Sequence, residues 1–161
     1  MSKAAISNAS PLILLSRGGH GDLLRSIADQ ILVPDLVVAE IRTRGSDDPT
    51  ARFITSTSWI KTVPSLAIPG PVLQWGLGKG ESSVIALGFQ NPGMILLLDD
   101  LPARRCAASL NLPFHGTLGI VLLAKRRGII ARARPVLEDL LRKGMYLSRS
   151  TLDAALAKVE E

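Results

Sequence analysis

The chain has 161 residues, a formal net charge of +5 at pH 7 and a sequence pI of about 9.9, a balance that suits an anionic partner such as nucleic acid. Its 47% apolar content is mostly aliphatic and only 4% of residues are aromatic, which favours an α/β protein over a β-sandwich. A single cysteine, Cys106, excludes a disulfide framework or thiolate metal site, and the absence of a signal peptide or membrane span predicts a cytoplasmic protein.

The first half of the chain alternates short apolar segments with helical patterns. Apolar spacing and capping signals define each segment. The predicted elements are a strand at 4–7, a helix at 12–17, a helix at 22–30, a strand at 31–33, a helix from 34 to about 44, a helix at 51–56 and a strand at 59–63. Residues 64–80 are rich in proline and glycine and predict a long loop with a helical turn.

The second half is more helical. The predicted elements are a helix at 81–89, a strand starting at residue 94, a helix at 102–110, a strand at 113–115 and helices at 117–125, 135–143 and 150–159. We therefore expect one domain over residues 1–161, with C-terminal helices from about residue 132.

A continuous apolar run, residues 94–98, stops at two adjacent carboxylates, Asp99 and Asp100. Such a short run is typical of a strand buried on both faces of a parallel sheet, which puts the carboxylates at its C-terminal end. Ligands of open α/β sheets bind at that edge, so the pair predicts a cation site or a protonation site. The alternative is a solvated turn that begins with aspartate.

Two further acids occupy informative positions. Glu40 interrupts an apolar run and lies either at the edge of the core or in a cleft. Glu81 begins a helix after Gly80, where the helix dipole alone would favour an acid. If the sheet brings these acids to the edge that carries Asp99 and Asp100, the cluster needs a cation, and oxygen ligands favour Mg²⁺ or Mn²⁺. Such ions promote phosphodiester hydrolysis.

Five segments in combination carry a family resemblance. They are residues 5–13 (AISNASPLI), 33–41 (VPDLVVAEI), 78–87 (GKGESSVIAL), 97–104 (LLDDLPAR) and 116–119 (GTLG). On these segments the chain resembles PIN-domain proteins, and it is most similar to short prokaryotic members akin to the VapC-type toxins. The resemblance implies a three-layer α/β/α sandwich around a parallel sheet and a metal-dependent ribonuclease. It also implies RNA as the substrate, and often a homodimer held with a small antitoxin protein.

The resemblance also implies a set of metal ligands. The family's acids map onto Asn8, Glu40, Glu81 and the pair Asp99 and Asp100, of which we favour Asp99 as the direct ligand. PIN nucleases generally carry aspartate at the first position. Asn8 offers only a neutral carbonyl oxygen, which binds Mg²⁺ more weakly and cannot act as a base. The alternative function is therefore a non-catalytic PIN-like module that binds RNA or a protein.

Three other residues are candidates for substrate contact or for support of the acids. Ser10 and Thr117 each precede a predicted helix, so both are predicted as N-caps, and the alternative is a hydroxyl that faces a phosphate. Arg104 follows Asp100 by four residues and is predicted to pair with it.

Basic residues are concentrated toward the C-terminus. They are Lys125, Arg126, Arg127, Arg132, Arg134, Arg142 and Lys143. Such residues either stabilise helix ends or follow an RNA backbone. No aromatic residue is interleaved with them, so base stacking is not expected to be their main source of affinity.

Overall fold

The computed structural model describes residues 2–161, and its strands form one sheet. The strands are β1 (Ser2–Ser7), β2 (Ala28–Pro34), β3 (Ile60–Val63), β4 (Ile95–Leu97) and β5 (Phe114–His115). Their order is β3-β2-β1-β4-β5, and every pairing is parallel. Parallel strands need helical crossovers, which cover both faces of the sheet.

The helices fill those crossovers and the C-terminal region. They are α1 (Ala9–Arg17), α2 (Asp35–Arg42), α3 (Pro49–Ser56), α4 (Gly70–Leu73), α5 (Lys79–Gln90), α6 (Leu101–Ser109), α7 (Thr117–Arg126), α8 (Arg134–Arg142) and α9 (Arg149–Ala157), with a 3-10 helix at Gly21–Ser26. α5 packs on β1, β2 and β4, while α7 contacts α1, α8 and α9. The predicted three-layer α/β/α fold around a parallel sheet is confirmed.

The central strands are buried on both faces. Consecutive residues of a strand point to opposite faces, and the successive pairs Ala5–Ile6 and Leu96–Leu97 are all 0% exposed. The prediction that the run at residue 94 forms a doubly buried strand is therefore confirmed, although the paired part is only Ile95–Leu97. Within residues 2–161, no helix has the length and apolarity needed to cross a membrane.

The helix predicted at 22–30 is wrong. A 3-10 helix occupies Gly21–Ser26, and β2 starts at Ala28. Gln30 pairs with Ala4 of β1, whereas pairing with β3 begins only at Ile31. The polar start of β2 thus extends beyond β3, and its pairing with β1 overrides a sequence pattern that favours helix.

The start of α8 is capped by a residue distant in sequence. Ala133 provides no side-chain cap, and the Glu161 carboxylate accepts hydrogen bonds from the backbone N–H groups of Ala133 at 2.6 Å and Arg134 at 3.2 Å. Burial alone would raise the pKa of Glu161, but these hydrogen bonds hold that pKa below its ordinary value. Glu161 therefore ties the end of the chain to α8.

We expect Glu161→Ala to lower the free energy of unfolding by about 1 kcal/mol, because two N–H groups of α8 lose their acceptor. Urea denaturation followed by circular dichroism measures the change. Glu160→Ala is the matched control, since the Glu160 side chain makes no hydrogen bond or ion pair with residues 2–161. Equal stability of the two variants would show that the Glu161 cap contributes nothing.

Candidate active site

The site begins where the central strands end. β1 pairs with β2 on one side and β4 on the other, so the chain winds outward from β1 in both directions. Ligands of open α/β sheets bind in the crevice at such a reversal, outside the carboxyl ends of the strands. Asn8 follows β1 directly and its backbone N–H donates to the Leu97 carbonyl of β4 at 3.1 Å. Asp99 lies two residues beyond β4.

Asn8 carries a polar atom without a partner. The residue is only 3% exposed, and its Oδ1 is buried with no hydrogen-bond donor among residues 2–161. A Cβ on Gly80 would lie 3.0 Å from this Oδ1 and 2.9 Å from Oε2 of Glu40. Glycine at this position lets both oxygens converge on the first turn of α5. Sequence reasoning missed this role of Gly80, although its place directly before Glu81 was a signal.

Glu40 and Glu81 share a pocket with Asn8. The pocket has a volume of about 460 Å³ and is lined by all three side chains. Burial, followed by the negative charge of Glu81, raises the pKa of Glu40, and the positive charge of Arg44 opposes this change. Two carboxylates therefore lie in the same pocket as the Asn8 amide oxygen, although Arg17, Arg44 and Lys143 also line it.

Asp99 is held by three hydrogen bonds. Its Oδ1 accepts from the Thr117 backbone N–H at 2.7 Å, and its Oδ2 accepts from Oγ1 of Thr117 at 2.7 Å and from Oγ of Ser10 at 2.9 Å. The predicted N-cap roles of Ser10 and Thr117 are wrong, because α1 and α7 begin after Asn8 and Gly116. Both hydroxyls lie in the first turn of their helix and orient Asp99 instead.

Asp100 and Arg104 do not form the predicted pair. Oδ2 of Asp100 accepts from the Ala103 backbone N–H at 3.0 Å, so Asp100 is the N-cap of α6. The guanidinium of Arg104 lies over the ring of Phe114, 5.3 Å from its centroid, and makes no ion pair with any of residues 2–161. Ion pairs between residues four positions apart form when both residues lie in a helix. Asp100 instead precedes α6, and its side chain accepts from the backbone of that helix.

The acids are divided between two adjoining pockets. Asp99 lines a second pocket of about 620 Å³, which shares Ser10 with the pocket of Glu40 and Glu81. Among the described residues, the structure brings no three His, Cys, Asp or Glu side chains into one group able to hold a metal ion. The donors that do converge in the first pocket are two carboxylates and one amide oxygen, the ligand types that hard cations prefer.

Of the comparisons with known proteins, one identifies a family. A family model described as a PIN domain matches residues 4–161. The chain belongs to the PIN-domain family. A search of curated proteins finds no match. PIN domains are generally nucleases, and PIN nucleases typically use divalent metals.

The negative charge of Glu81 is expected to contribute, after burial, to the raised pKa of Glu40. In Glu81→Gln, the pKa of Glu40 should fall toward its ordinary value, because a neighbouring negative charge no longer opposes ionisation. An NMR titration of the labelled Glu40 carboxyl carbon measures the change. Glu138→Gln is the matched control, since Glu138 lies on α8 and lines neither pocket. A Glu40 pKa that is the same in both variants would contradict the coupling.

Proposed function

We propose that this PIN domain is a Mg²⁺- or Mn²⁺-dependent endoribonuclease that hydrolyses phosphodiester bonds in RNA. Glu40, Glu81, Asp99 and Asp100 are its site acids, and Asn8 completes the set. The observation that carries the proposal is the unpartnered Oδ1 of Asn8, which is buried beside Glu40 at the reversal of the sheet.

The residues present suit a hard cation. A buried acceptor without a partner costs about 1–3 kcal/mol, and two nearby carboxylates add repulsion. Asn8, Glu40 and Glu81 are the residues that would hold a cation, and Asp99 and Asp100 are the further acids of the proposed set. When bound, a divalent cation stabilises negative charge on the phosphate and lowers the pKa of water that attacks it.

The chain itself supplies orientation. Ser10 and Thr117 fix the Asp99 carboxylate through three hydrogen bonds, so its oxygens keep one position relative to the sheet edge. Preorganised groups lose less entropy and need less rearrangement when substrate binds. Of the two aspartates, Asp99 is the better candidate ligand, because Asp100 already caps α6 and is exposed.

The similarity to VapC-type toxins supports a more specific role. We place the protein in the cytoplasm as the toxin of a toxin-antitoxin pair, which acts as a homodimer and is held by a small antitoxin protein. The positive net charge of +5 suits both RNA and an acidic partner segment.

The first test is cleavage of a mixed RNA pool by the purified protein in Mg²⁺, Mn²⁺ or chelator. We expect products only with metal. Glu81→Gln should lower the cleavage rate by about 100-fold or more, because losing a support of a metal ligand already costs about 10- to 100-fold. Circular dichroism should show the same folded signal for both proteins.

Glu138→Gln removes one carboxylate from the exposed face of α8 and serves as the control for net charge. It should cleave RNA at the unaltered rate. Metal-independent cleavage, or full cleavage by Glu81→Gln, would refute the proposed site.

A second candidate function is a non-catalytic PIN-like module that binds RNA or a protein, and the amide of Asn8 is the observation that favours it. The two functions differ in the behaviour of Asn8→Asp. A ribonuclease should cleave with Asn8 and need less Mg²⁺ with aspartate, since an added charge strengthens cation binding. A binding module should cleave only after the substitution. Asn111→Asp, on the turn after α6, controls for the added charge.

A further inference from the structure

The pocket beside Asp99 has the shape and lining of a ligand site. Its volume is about 620 Å³, and it adjoins the pocket of Glu40 and Glu81 along Ser10, Leu14 and Gly144. Phe114 and Leu122 give it apolar walls. A ligand bound in this pocket would lie next to the ligand of Glu40 and Glu81.

Most of the C-terminal basic residues do not face this pocket as free cations, because the chain itself engages them. Lys125 donates to the Ala131 carbonyl, Arg127 to the Ser26 carbonyl, Arg132 pairs with Glu161, Arg134 with Glu138, and Arg142 and Lys143 with Asp139. The expectation that this cluster as a whole follows RNA is therefore not supported by its geometry.

Two cations in the pocket behave differently. Arg104 and Lys158 both line it, and neither side chain makes an ion pair or hydrogen bond with residues 2–161. Lys158 also lines a neighbouring pocket with Lys125, Arg126 and Glu160, so further cations lie beside it. A pocket of mixed polar and apolar lining with two cations that make no ion pair among residues 2–161 suits a ligand with an anionic backbone and an apolar face.

Tyr146 adds an aromatic ring to this pocket. The residue is 90% exposed, more than any other large hydrophobic residue among those described. Its loop is anchored where α8 ends, because Gly144 adopts a φ of 109° and the Met145 N–H donates to the Leu140 carbonyl at 2.9 Å. At the other end, Ser148 caps α9. The ring is thus presented to solvent from a loop fixed at both ends.

We propose that this pocket binds an unstacked base of single-stranded RNA beside the cleaved phosphodiester, with Tyr146 stacking on the base and Lys158 contacting a backbone phosphate. The location beside the cleaved bond rests on the proposed ribonuclease function. The exposed ring of Tyr146 can stack on the face of an unstacked base, and a base inside a duplex does not offer that face.

The test is fluorescence anisotropy of a short labelled RNA in chelator, where no metal-dependent cleavage occurs. Tyr146→Ala should weaken binding of single-stranded RNA about tenfold, and Tyr146→Phe, which keeps the ring, should bind within about twofold of the unaltered protein. Binding of the same sequence as a duplex should not change. Lys158→Gln should weaken binding of the single-stranded RNA. It should also lower the slope of log Kd against log salt concentration by about 0.7.

The controls are Trp75→Ala, which removes an exposed aromatic residue outside the pocket, and Lys61→Gln, which removes an exposed lysine on β3. Neither should alter binding. The proposal is overturned if the unaltered protein binds no single-stranded RNA, or if Tyr146→Ala binds single-stranded RNA as tightly as the unaltered protein. It is also overturned if Tyr146→Ala weakens duplex binding as much as single-strand binding. Tyr146-dependent binding without metal-dependent cleavage would refute the ribonuclease and leave the base site standing.

Discussion

The parallel pairing of β1 with β4 is the constraint on which the site depends. The Asn8 N–H extends that pairing by one hydrogen bond to the Leu97 carbonyl, so the two central strands end at the same level. Asn8 and Asp99 follow those ends at the point where the order of the sheet reverses. The remaining groups are arranged around these two residues: α5 brings Gly80 to Asn8, and α1 and α7 bring hydroxyls to Asp99.

Asn8 and Asp99 differ in charge and in the hydrogen bonds that their side-chain oxygens accept. The Asp99 carboxyl group accepts three hydrogen bonds, from Ser10 and Thr117, so the chain alone can accommodate it. The Oδ1 of Asn8 accepts no hydrogen bond from residues 2–161, but the amide is neutral and therefore adds no repulsion to Glu40. An aspartate at this 3%-exposed position would place another negative charge near Glu40 and Glu81. Asparagine thus makes the metal-free protein easier to fold at the expense of attraction for a cation.

The sequence was sufficient to predict those elements whose patterns lie within one short segment. Apolar runs and helix periodicity predicted the layered fold. Glu40 in α2 and Glu81 in the first turn of α5 do line one pocket, and Asp99, which follows β4, lines the adjoining one. The roles of Ser10 and Thr117 were not accessible in this way, because their partner Asp99 is distant in sequence. Ser10 is separated from it by 89 positions. From sequence alone, a hydroxyl at the start of a helix is predicted to be an N-cap. In the folded chain it can instead donate to a stronger acceptor that is distant in sequence.

Charge composition was equally incomplete as a guide to the surface that we propose binds RNA. A net charge of +5 and a basic C-terminal region suggest a broad cationic face, yet Asp139 and Glu161 between them engage Arg132, Arg142 and Lys143. Their attraction for RNA is reduced because a nearby carboxylate cancels much of the field of each cation. The cations available to bind a ligand are those without such a carboxylate partner among residues 2–161. Around Asp99, Arg104 and Lys158 make no ion pair with residues 2–161, and Lys158 with Tyr146 provides the proposed contacts to RNA.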